Sequence, residues 1–220
     1  MARGGRYDVS MLPEAQSEPG SRGRVLRNLL GIRRLRDMAQ AESEALLATQ
    51  ERLVDEYSED HRFTARDIRA IHRAWLGGIY SWAGEYRSVN ISKGDFHFAA
   101  AAQVPRLMLE FERRELAQVT PCRVAPEQDI ARALAVAHAE LILIHPFREG
   151  NGRCARLLAL LMGLQAGLPP LDFGGLSGRG MRAYVAAIHA AVGSDYGPME
   201  RLFSGAIRRT WRRYGRAGRP

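Results

Sequence analysis

One stretch of the chain, residues 145–156, joins two strongly apolar helical patterns and constrains the fold more than any other feature. Before it, apolar residues recur at helical spacing from Ile130 to Ile144, and Pro146 should end that helix. After it, the helix predicted from Arg153 to Ala166 is apolar on nearly every face and should be buried. The sequence between them, His-Pro-Phe-Arg-Glu-Gly-Asn-Gly-Arg-Cys-Ala-Arg, is therefore predicted to be an active-site loop joining two core helices.

The middle of this loop has the features of a phosphate-binding site. Gly150 and Gly152 flank Asn151 just before a helix N-terminus, where unpaired N–H groups and the positive end of the helix dipole can hold an anion. Arg153 and Arg156 fall in the first turn of that helix, and we expect them to project to the same side and bind further phosphate oxygens. These five residues form the predicted nucleotide-binding and phosphate-binding set.

Three other side chains in the loop suggest catalysis. His145, with an ordinary pKa of about 6.5, can accept a proton from a hydroxyl group at neutral pH. Glu149 suits Mg²⁺ held jointly by a carboxylate and substrate phosphates. Phe147 is predicted to anchor the loop to the core. Each residue alone has an ordinary structural explanation, and it is their combination in one short stretch that indicates an active site.

The stretch resembles, without a gap, the signature of the Fic family, His-Pro-Phe-x-(Asp/Glu)-Gly-Asn-Gly-Arg-x-x-Arg. The resemblance extends from about Val25 to about Leu202. It implies a mainly α Fic fold, a helical bundle around a central helix-loop-helix active site with a short β-hairpin flap. It also implies an enzyme that transfers AMP from ATP, with Mg²⁺, to a Tyr, Ser or Thr hydroxyl of a target protein. His145 would accept the hydroxyl proton as pyrophosphate leaves.

A hairpin is predicted between Val89 and Phe98, where apolar residues alternate about Lys93 and Gly94. Lys93 is the only lysine in the chain. By the resemblance, this hairpin is a flap that lies over the active site and pairs with an extended segment of the target protein through main-chain hydrogen bonds. The predicted target-docking residues are Val89, Asn90, Ile91, Ser92, Lys93 and Gly94.

The predicted domain organisation has three parts. Residues 1–24 contain several Gly and Pro residues without periodicity and are expected to form a flexible lead-in. Residues 25–205 would form the Fic domain and residues 206–220 an arginine-rich C-terminal tail. Within the domain, Thr64 followed by Asp67 predicts a capped helix start. Further helices are predicted at about 35–57, 105–117, 180–192 and 197–214.

The formal net charge of +8 is compatible with an acidic partner. Much of the excess lies near the ends, and no zinc finger or aromatic RNA-binding motif is present, so nucleic-acid binding is not expected. The two cysteines, Cys122 and Cys154, are expected to be free thiols. No apolar run is long enough to span a bilayer and no signal peptide is visible. We therefore expect no membrane association and a cytoplasmic location, or delivery into another cell.

The resemblance to the Fic family also implies a way in which the enzyme would be inhibited. Many Fic proteins are inhibited by a helix with a Ser/Thr-x-x-x-Glu-Gly/Asn motif, whose glutamate pairs with the second arginine of the signature, here Arg156. The chain lacks this motif, since the nearest match, Ser81 to Glu85, is followed by Tyr86. A small antitoxin that supplies the helix is therefore expected, with this chain as the toxin of the pair, although an uninhibited enzyme remains the alternative.

Two other functions remain open at this point. The same loop would also suit phosphotransfer or another nucleotidyl transfer, and the chain would alternatively be a catalytically idle module that binds a partner. Two further classes are excluded by the sequence. His138-Ala139-Glu140 lacks the Cys-x-x-Cys that zinc deaminases require, and no Gly-Lys-Ser/Thr exists for a P-loop.

Overall fold

The computed structural model describes residues 12–123, 125–176 and 178–215. They form a mainly helical fold with one short antiparallel hairpin, which confirms the predicted fold class. The elements, in chain order, are α1 (Leu35–Glu56), α2 (Ala65–Leu76), β1 (Ser92–Lys93), β2 (Phe96–His97), α3 (Val104–Phe111), α4 (Ala117–Val119), α5 (Glu127–Ile144), α6 (Asn151–Gln165), α7 (Met181–Ala191) and α8 (Gly197–Tyr214).

The two helices that flank the signature loop, α5 and α6, lie at the centre of the bundle. They pack against each other, and α5 also packs against α8 along much of its length. Leu134 and Leu141 of α5 and Leu158 and Met162 of α6 are all within 1% of full burial. This burial from several sides explains why both helices carry apolar residues on nearly every face.

Helix α2 begins as the sequence predicts. The Thr64 hydroxyl accepts a hydrogen bond from the Asp67 N–H at 3.2 Å, and the Asp67 carboxylate accepts one from the Thr64 N–H at 2.8 Å, forming a capping box. Glu112 adds a further acceptor for the Ala65 N–H at 2.7 Å. The apolar face of α2, which includes Ile68 and Trp75, is buried.

The helix predicted at about 105–117 has a more complex form than the pattern indicates. Pro105 lies in the first turn of α3, as expected. The chain then continues through a π-helical segment, Glu112–Leu116, into the short α4. The apolar pattern of so short a segment does not show where a π-turn inserts an extra residue into an α-helix.

The prediction of a flexible lead-in fails for residues 12–24. The Glu14 carboxylate is buried and accepts a hydrogen bond from the Ser88 N–H at 2.7 Å, while the Glu14 carbonyl accepts one from Arg148 Nε at 3.0 Å. Ser17 also pairs with Leu26 in an antiparallel bridge. Contacts with distant residues order this Gly-rich and Pro-rich segment. Residues 1–11 of the predicted lead-in lie outside the described residues.

The predicted boundary at residue 205 is also revised by the structure. Helix α8 continues to Tyr214, and Ala206, Ile207 and Thr210 are buried, so residues 206–214 belong to the packed domain rather than to a tail. Residues 216–220 are outside the described part of the chain. Cys122 and Cys154 are buried free thiols, as predicted. None of the helices among the described residues has the length and apolar character needed to cross a membrane.

Candidate active site

A cavity of about 670 Å³ lies between the signature loop, the hairpin and α7. The loop contributes His145 and residues 148–152, and the hairpin contributes residues that include Lys93 and Phe98. Helix α7 contributes Tyr184 and His189 among others. The cavity thus brings together the predicted base, the predicted metal-binding carboxylate and the glycine-framed start of α6.

His145 ends α5 in a left-handed backbone conformation, with φ +52° and ψ +60°. Its Nδ1 lies 3.0 Å from the Ile142 carbonyl oxygen. Because a carbonyl can only accept a hydrogen bond, Nδ1 carries the proton and Nε2 keeps its lone pair. Phe98 stacks on the imidazole with a ring-centre distance of 3.6 Å. Burial lowers the pKa of His145 to about 4, and the nearby charges of Arg87 and Lys93 act in the same direction, so the ring is neutral at pH 7.

Three buried side chains hold the loop in shape. Asn151 is buried, its Oδ1 accepts a hydrogen bond from the Phe147 N–H and its Nδ2 donates to the Phe147 carbonyl, both at 2.8 Å. The Phe147 ring is fully buried and stacks on His72 at 3.8 Å. His72 Nδ1 accepts from the Gly84 N–H, and its Nε2 donates to the Glu149 carbonyl at 3.0 Å. The Asn151 side chain is thus used within the loop, and only its main-chain N–H is left for an anion.

The start of α6 provides the predicted anion site. Gly150 has φ +82°, and a Cβ atom there would come within 2.7 Å of the Trp75 ring, so only glycine fits. The Gly150 N–H donates to Glu149 Oε1 at 2.9 Å. The N–H groups of Asn151 and Gly152 occupy the first helical positions, where no partner exists within a helix. Both residues line the cavity.

The two arginines of α6 differ in their partners. Arg153 donates to the buried carboxylate of Glu42 at 2.7 Å and to Glu149 at 3.4 Å, and its guanidinium lies 4.6 Å above the Trp75 ring. Arg156 has no carboxylate within ion-pair distance in the part of the chain that the structure describes. Burial is the main cause of its lowered pKa.

Arg156 lies just behind the anion site. Its Nη1 would be 3.7 Å from a Cβ atom at Gly152, and its charge lowers the pKa of Tyr184, a cavity residue, against the larger effect of burial. The guanidinium is therefore a half-buried cation beside the first turn of α6. An anion bound there would supply the negative charge that Arg156 lacks.

Glu149 is the carboxylate at the cavity that could hold a metal ion. Its side chain is 46% exposed, and only one of its oxygens is used within the loop. The described residues contain no group of three or more His, Cys, Asp or Glu side chains placed to bind a metal. A single accessible carboxylate fits Mg²⁺, which takes one or two protein carboxylates together with substrate phosphates and water.

The hairpin has the predicted form over a shorter length. Ser92 pairs with His97 and Lys93 with Phe96, and Gly94 adopts φ +59° at the turn. Of the predicted docking residues, Ile91, Ser92 and Lys93 line the cavity. Val89 is buried, and the Asn90 side chain accepts a hydrogen bond from the Ala101 N–H at 2.8 Å, which closes the base of the hairpin.

Sequence reasoning missed several residues of the site. Glu42 accepts hydrogen bonds from Arg153 and, at 2.7 Å, from the Tyr80 hydroxyl. Arg87 contacts the His145 carbonyl at 2.7 Å. His189, which has no acidic neighbour in sequence to mark it as functional, lines the cavity and stacks on Phe96 of the hairpin at 5.1 Å. These contacts join residues that are far apart in sequence, so no local pattern indicates them.

Comparison with known proteins shows similarity to the Fic/DOC family and to protein adenylyltransferases. Residues 62–162 match the family model described as Fic/DOC family. The chain is 29% identical over 162 residues to protein adenylyltransferase VbhT of Bartonella schoenbuchensis, covering 74% of this chain and 33% of that protein. It is 29% identical over 189 residues to the probable protein adenylyltransferase Fic of Salmonella typhimurium, covering 83% of this chain and 88% of that protein. The chain thus spans about a third of the length of the first of these relatives.

Solved structures share the fold. The BepC protein of Bartonella tribocorum, a VirB-translocated effector solved with bound AMPPNP, superposes with a TM-score of 0.71 at 22% identity, covering 89% of this chain and 97% of that one. Fic-1 of Caenorhabditis elegans gives a TM-score of 0.59 at 26% identity, covering 79% of this chain and 49% of that one. The helical bundle with its small hairpin is therefore the fold of these proteins.

Proposed function

We propose, from the match of residues 62–162 to the Fic/DOC family model, that the chain is a member of this family and transfers AMP from ATP to a hydroxyl group of a target protein. The single observation that carries the proposal is the position of His145. A neutral imidazole with a free Nε2 lone pair and the N-terminus of α6, which suits phosphate, line one cavity. The relatives named protein adenylyltransferase and the neighbour solved with AMPPNP support the choice of reaction.

In the proposed reaction, Nε2 of His145 accepts the proton of a Tyr, Ser or Thr hydroxyl of the target. The hydroxyl oxygen attacks the α-phosphorus of ATP, and the bond between the α-phosphorus and the bridging oxygen breaks. Pyrophosphate leaves with the electron pair of that bond, and AMP remains attached to the target oxygen. The stacking of Phe98 and the hydrogen bond to Ile142 would hold the imidazole for this step.

The phosphates would be held by the start of α6. The N–H groups of Asn151 and Gly152 and the helix dipole favour negative charge there, and Arg156 would add a cation. Glu149 would hold Mg²⁺, which when bound neutralises phosphate charge as the leaving group departs. Arg153 was predicted to bind phosphate as well, but its two carboxylate partners favour a role in holding Glu149 in place.

The target would dock on the hairpin. The hairpin strands are short and exposed, and Ser92, Lys93 and Ile91 border the cavity next to His145. An extended target segment paired with this edge would be held by main-chain hydrogen bonds, which depend little on its sequence. We also propose a cytoplasmic site of action and a separate antitoxin that inserts a glutamate beside Arg156, since that arginine has no carboxylate partner among the described residues.

The proposal is tested by incubating the purified protein with Mg²⁺ and ATP labelled at either the α or the γ phosphorus, in a lysate of its own cell type. We expect label on a protein from α-labelled ATP only, and its loss in His145→Ala. His61→Ala is the matched control, because His61 packs near Asp67 and away from the cavity. Label from γ-labelled ATP would instead indicate phosphotransfer. No label with any nucleotide, in a preparation free of bound protein, would indicate an idle binding module.

A further inference from the structure

The guanidinium of Arg87 joins the hairpin to the loop that carries His145. The residue is 2% exposed, and its guanidinium donates hydrogen bonds to four main-chain carbonyls. On one side, Nε donates to the His145 carbonyl at 2.7 Å and Nη2 to the Ile144 carbonyl at 3.3 Å. On the other side, Nη1 donates to the Val89 carbonyl at 2.8 Å and Nη2 to the Ala99 carbonyl. One side chain therefore contacts both ends of the hairpin and the end of α5.

The chemistry of these contacts requires an arginine. A planar guanidinium offers five donors in a fixed geometry, whereas a lysine ammonium is a compact group that cannot span four carbonyls on opposite sides. The carbonyls of Ile144 and His145 lie at the C-terminus of α5, where the helix dipole attracts a cation. Burial still lowers the pKa of Arg87, and the charge of Glu14 opposes this effect. Among the described residues no carboxylate pairs directly with Arg87, so main-chain carbonyls satisfy this buried charge.

The main chain at Arg87 strengthens the same connection. The Arg87 N–H donates to the Pro146 carbonyl at 2.9 Å, one residue after His145. The base of the hairpin is closed separately, since the Asn90 side chain accepts from the Ala101 N–H. The hairpin can therefore keep its own closure while its position relative to His145 depends on Arg87.

We propose that Arg87 is a positioning residue, which fixes the hairpin and His145 relative to each other so that a bound target segment presents its hydroxyl to Nε2. The inference rests on the proposed function only where it treats His145 as the base and the hairpin as the docking edge. The physical coupling of hairpin to loop is independent of which group is transferred. It can therefore be measured without any target.

The test compares Arg87→Gln and Arg87→Lys with Arg73→Gln. Arg73 is a matched control, because its side chain is 60% exposed and pairs with Glu85 at the surface. Amide hydrogen exchange is measured at residues 88–100 and in α8, and the His145 ring signal is followed by NMR. We expect exchange in the hairpin to rise about tenfold in both Arg87 variants and the His145 signal to shift. Exchange in α8 should be unchanged, and Arg73→Gln should behave as the unsubstituted protein.

Two further readouts separate positioning from general stability. In the transfer assay, the Arg87 variants should lower kcat and raise KM for the target while changing KM for ATP little, because the phosphate site lies on α6. Asn90→Ala should raise hairpin exchange without shifting the His145 signal.

A folded Arg87→Gln with unchanged hairpin exchange and an unchanged His145 signal would overturn the inference. If Arg87→Gln does not fold, a uniform rise in exchange throughout Arg87→Lys would overturn it equally. Absence of AMP transfer by the unsubstituted protein would refute the proposed function and leave the exchange and NMR results intact.

Discussion

Two arginines near the start of α6, Arg153 and Arg156, lie in opposite electrostatic surroundings. On one side, Arg153 has a buried carboxylate partner in Glu42, a second partner in Glu149 and the Trp75 ring beneath it. On the other side, Arg156 is half-buried and has no carboxylate partner in the described part of the chain. The first arginine is part of the folded framework, whereas the second keeps an uncompensated charge next to the anion site.

Because of this difference, we expect Arg153 to contribute mainly to stability and Arg156 mainly to anion binding. Glu42 is 6% exposed, so removal of Arg153 would leave a buried carboxylate without its cation. Arg156, by contrast, is half-buried without a counter-charge, which lowers stability until an anion binds. Functional sites often contain such unfavourable groups, because a ligand must find charge that the protein itself has not neutralised.

The largest effect is expected from Arg153→Gln. The substitution leaves Glu42 buried without its cation, so the free energy of unfolding should fall by about 3 kcal/mol, near the lower limit for broken buried pairs because Arg153 is 25% exposed. The measurement is urea-induced unfolding. The matched control is Arg52→Gln, because Arg52 forms an exposed pair with Glu56 and its loss should cost well under about 1 kcal/mol.

The double variant Glu42→Gln/Arg153→Gln sharpens this test. It removes both charges, so its loss of stability should be clearly smaller than the sum of the two single losses. Additive losses would show that Arg153 and Glu42 act independently, which would contradict the assignment of Arg153 to the framework.

The sequence predicts those parts of the site that depend on near neighbours. The capping box at Thr64, the presence of helices α5 and α6 and the hairpin all follow from residues a few positions apart, and the structure contains them. The contacts of Glu42 and Arg87 join residues 111 and 58 positions apart, respectively, and no local pattern encodes them. The sequence therefore predicts which residues carry the chemistry better than which residues hold them in place.

Residues 12–24 also depend on contacts with residues far away in sequence. Their composition of Gly, Pro and polar residues predicts flexibility, because it offers little apolar surface to bury. In the fold, however, Glu14 is fixed by the Ser88 N–H and Arg148, which lie far away in sequence. Composition indicates how a segment behaves in isolation, whereas contacts with the rest of the domain determine the conformation of residues 12–24.

The next largest effect is expected from Arg156→Gln, on binding rather than on stability. Loss of charge-assisted hydrogen bonds to phosphate should weaken ATP binding by about 10-fold to 100-fold, measured by calorimetry with a non-hydrolysable analogue and Mg²⁺. The free energy of unfolding without ligand should stay equal or rise, because a half-buried charge without a carboxylate partner is removed. Arg156→Lys should restore part of the affinity. A strongly destabilised Arg156→Gln would remove the contrast with Arg153.

A third prediction concerns pH. The pKa of His145 is lowered to about 4, so its neutral form persists well below the ordinary pKa of about 6.5. The transfer rate should therefore change little between pH 8 and pH 5, whereas a base with an ordinary pKa would lose about 30-fold over this range. A half-maximal rate near pH 6.5 would show that burial and the nearby cations do not lower the pKa of the base.

The pH profile needs a stability control, because the pKa values of His72 and His138 are also lowered, to about 4 and about 3, chiefly by burial. Each of these histidines binds a proton in the unfolded chain below about pH 6.5 but not in the folded protein. The free energy of unfolding should therefore fall as the pH drops from about 6.5 towards 4, by up to about 1.4 kcal/mol per pH unit for each histidine. Circular dichroism at every pH keeps unfolding separate from loss of the base.

The smallest effect is expected from Tyr80→Phe, which removes only the hydroxyl that donates to Glu42 at 2.7 Å. Arg153 still pairs with this carboxylate, so the free energy of unfolding should fall by about 1 kcal/mol. Tyr184→Phe is its counterpart on the Arg156 side, where the hydroxyl lies 2.9 Å from His138 Nε2. Tyr80→Phe should leave ATP affinity unchanged, because the Glu42 side stabilises the framework only. If Tyr80→Phe weakened ATP binding as much as Tyr184→Phe does, the surroundings of Arg153 would affect the phosphate site as strongly as those of Arg156. Arg153 would then be assigned a direct part in phosphate binding.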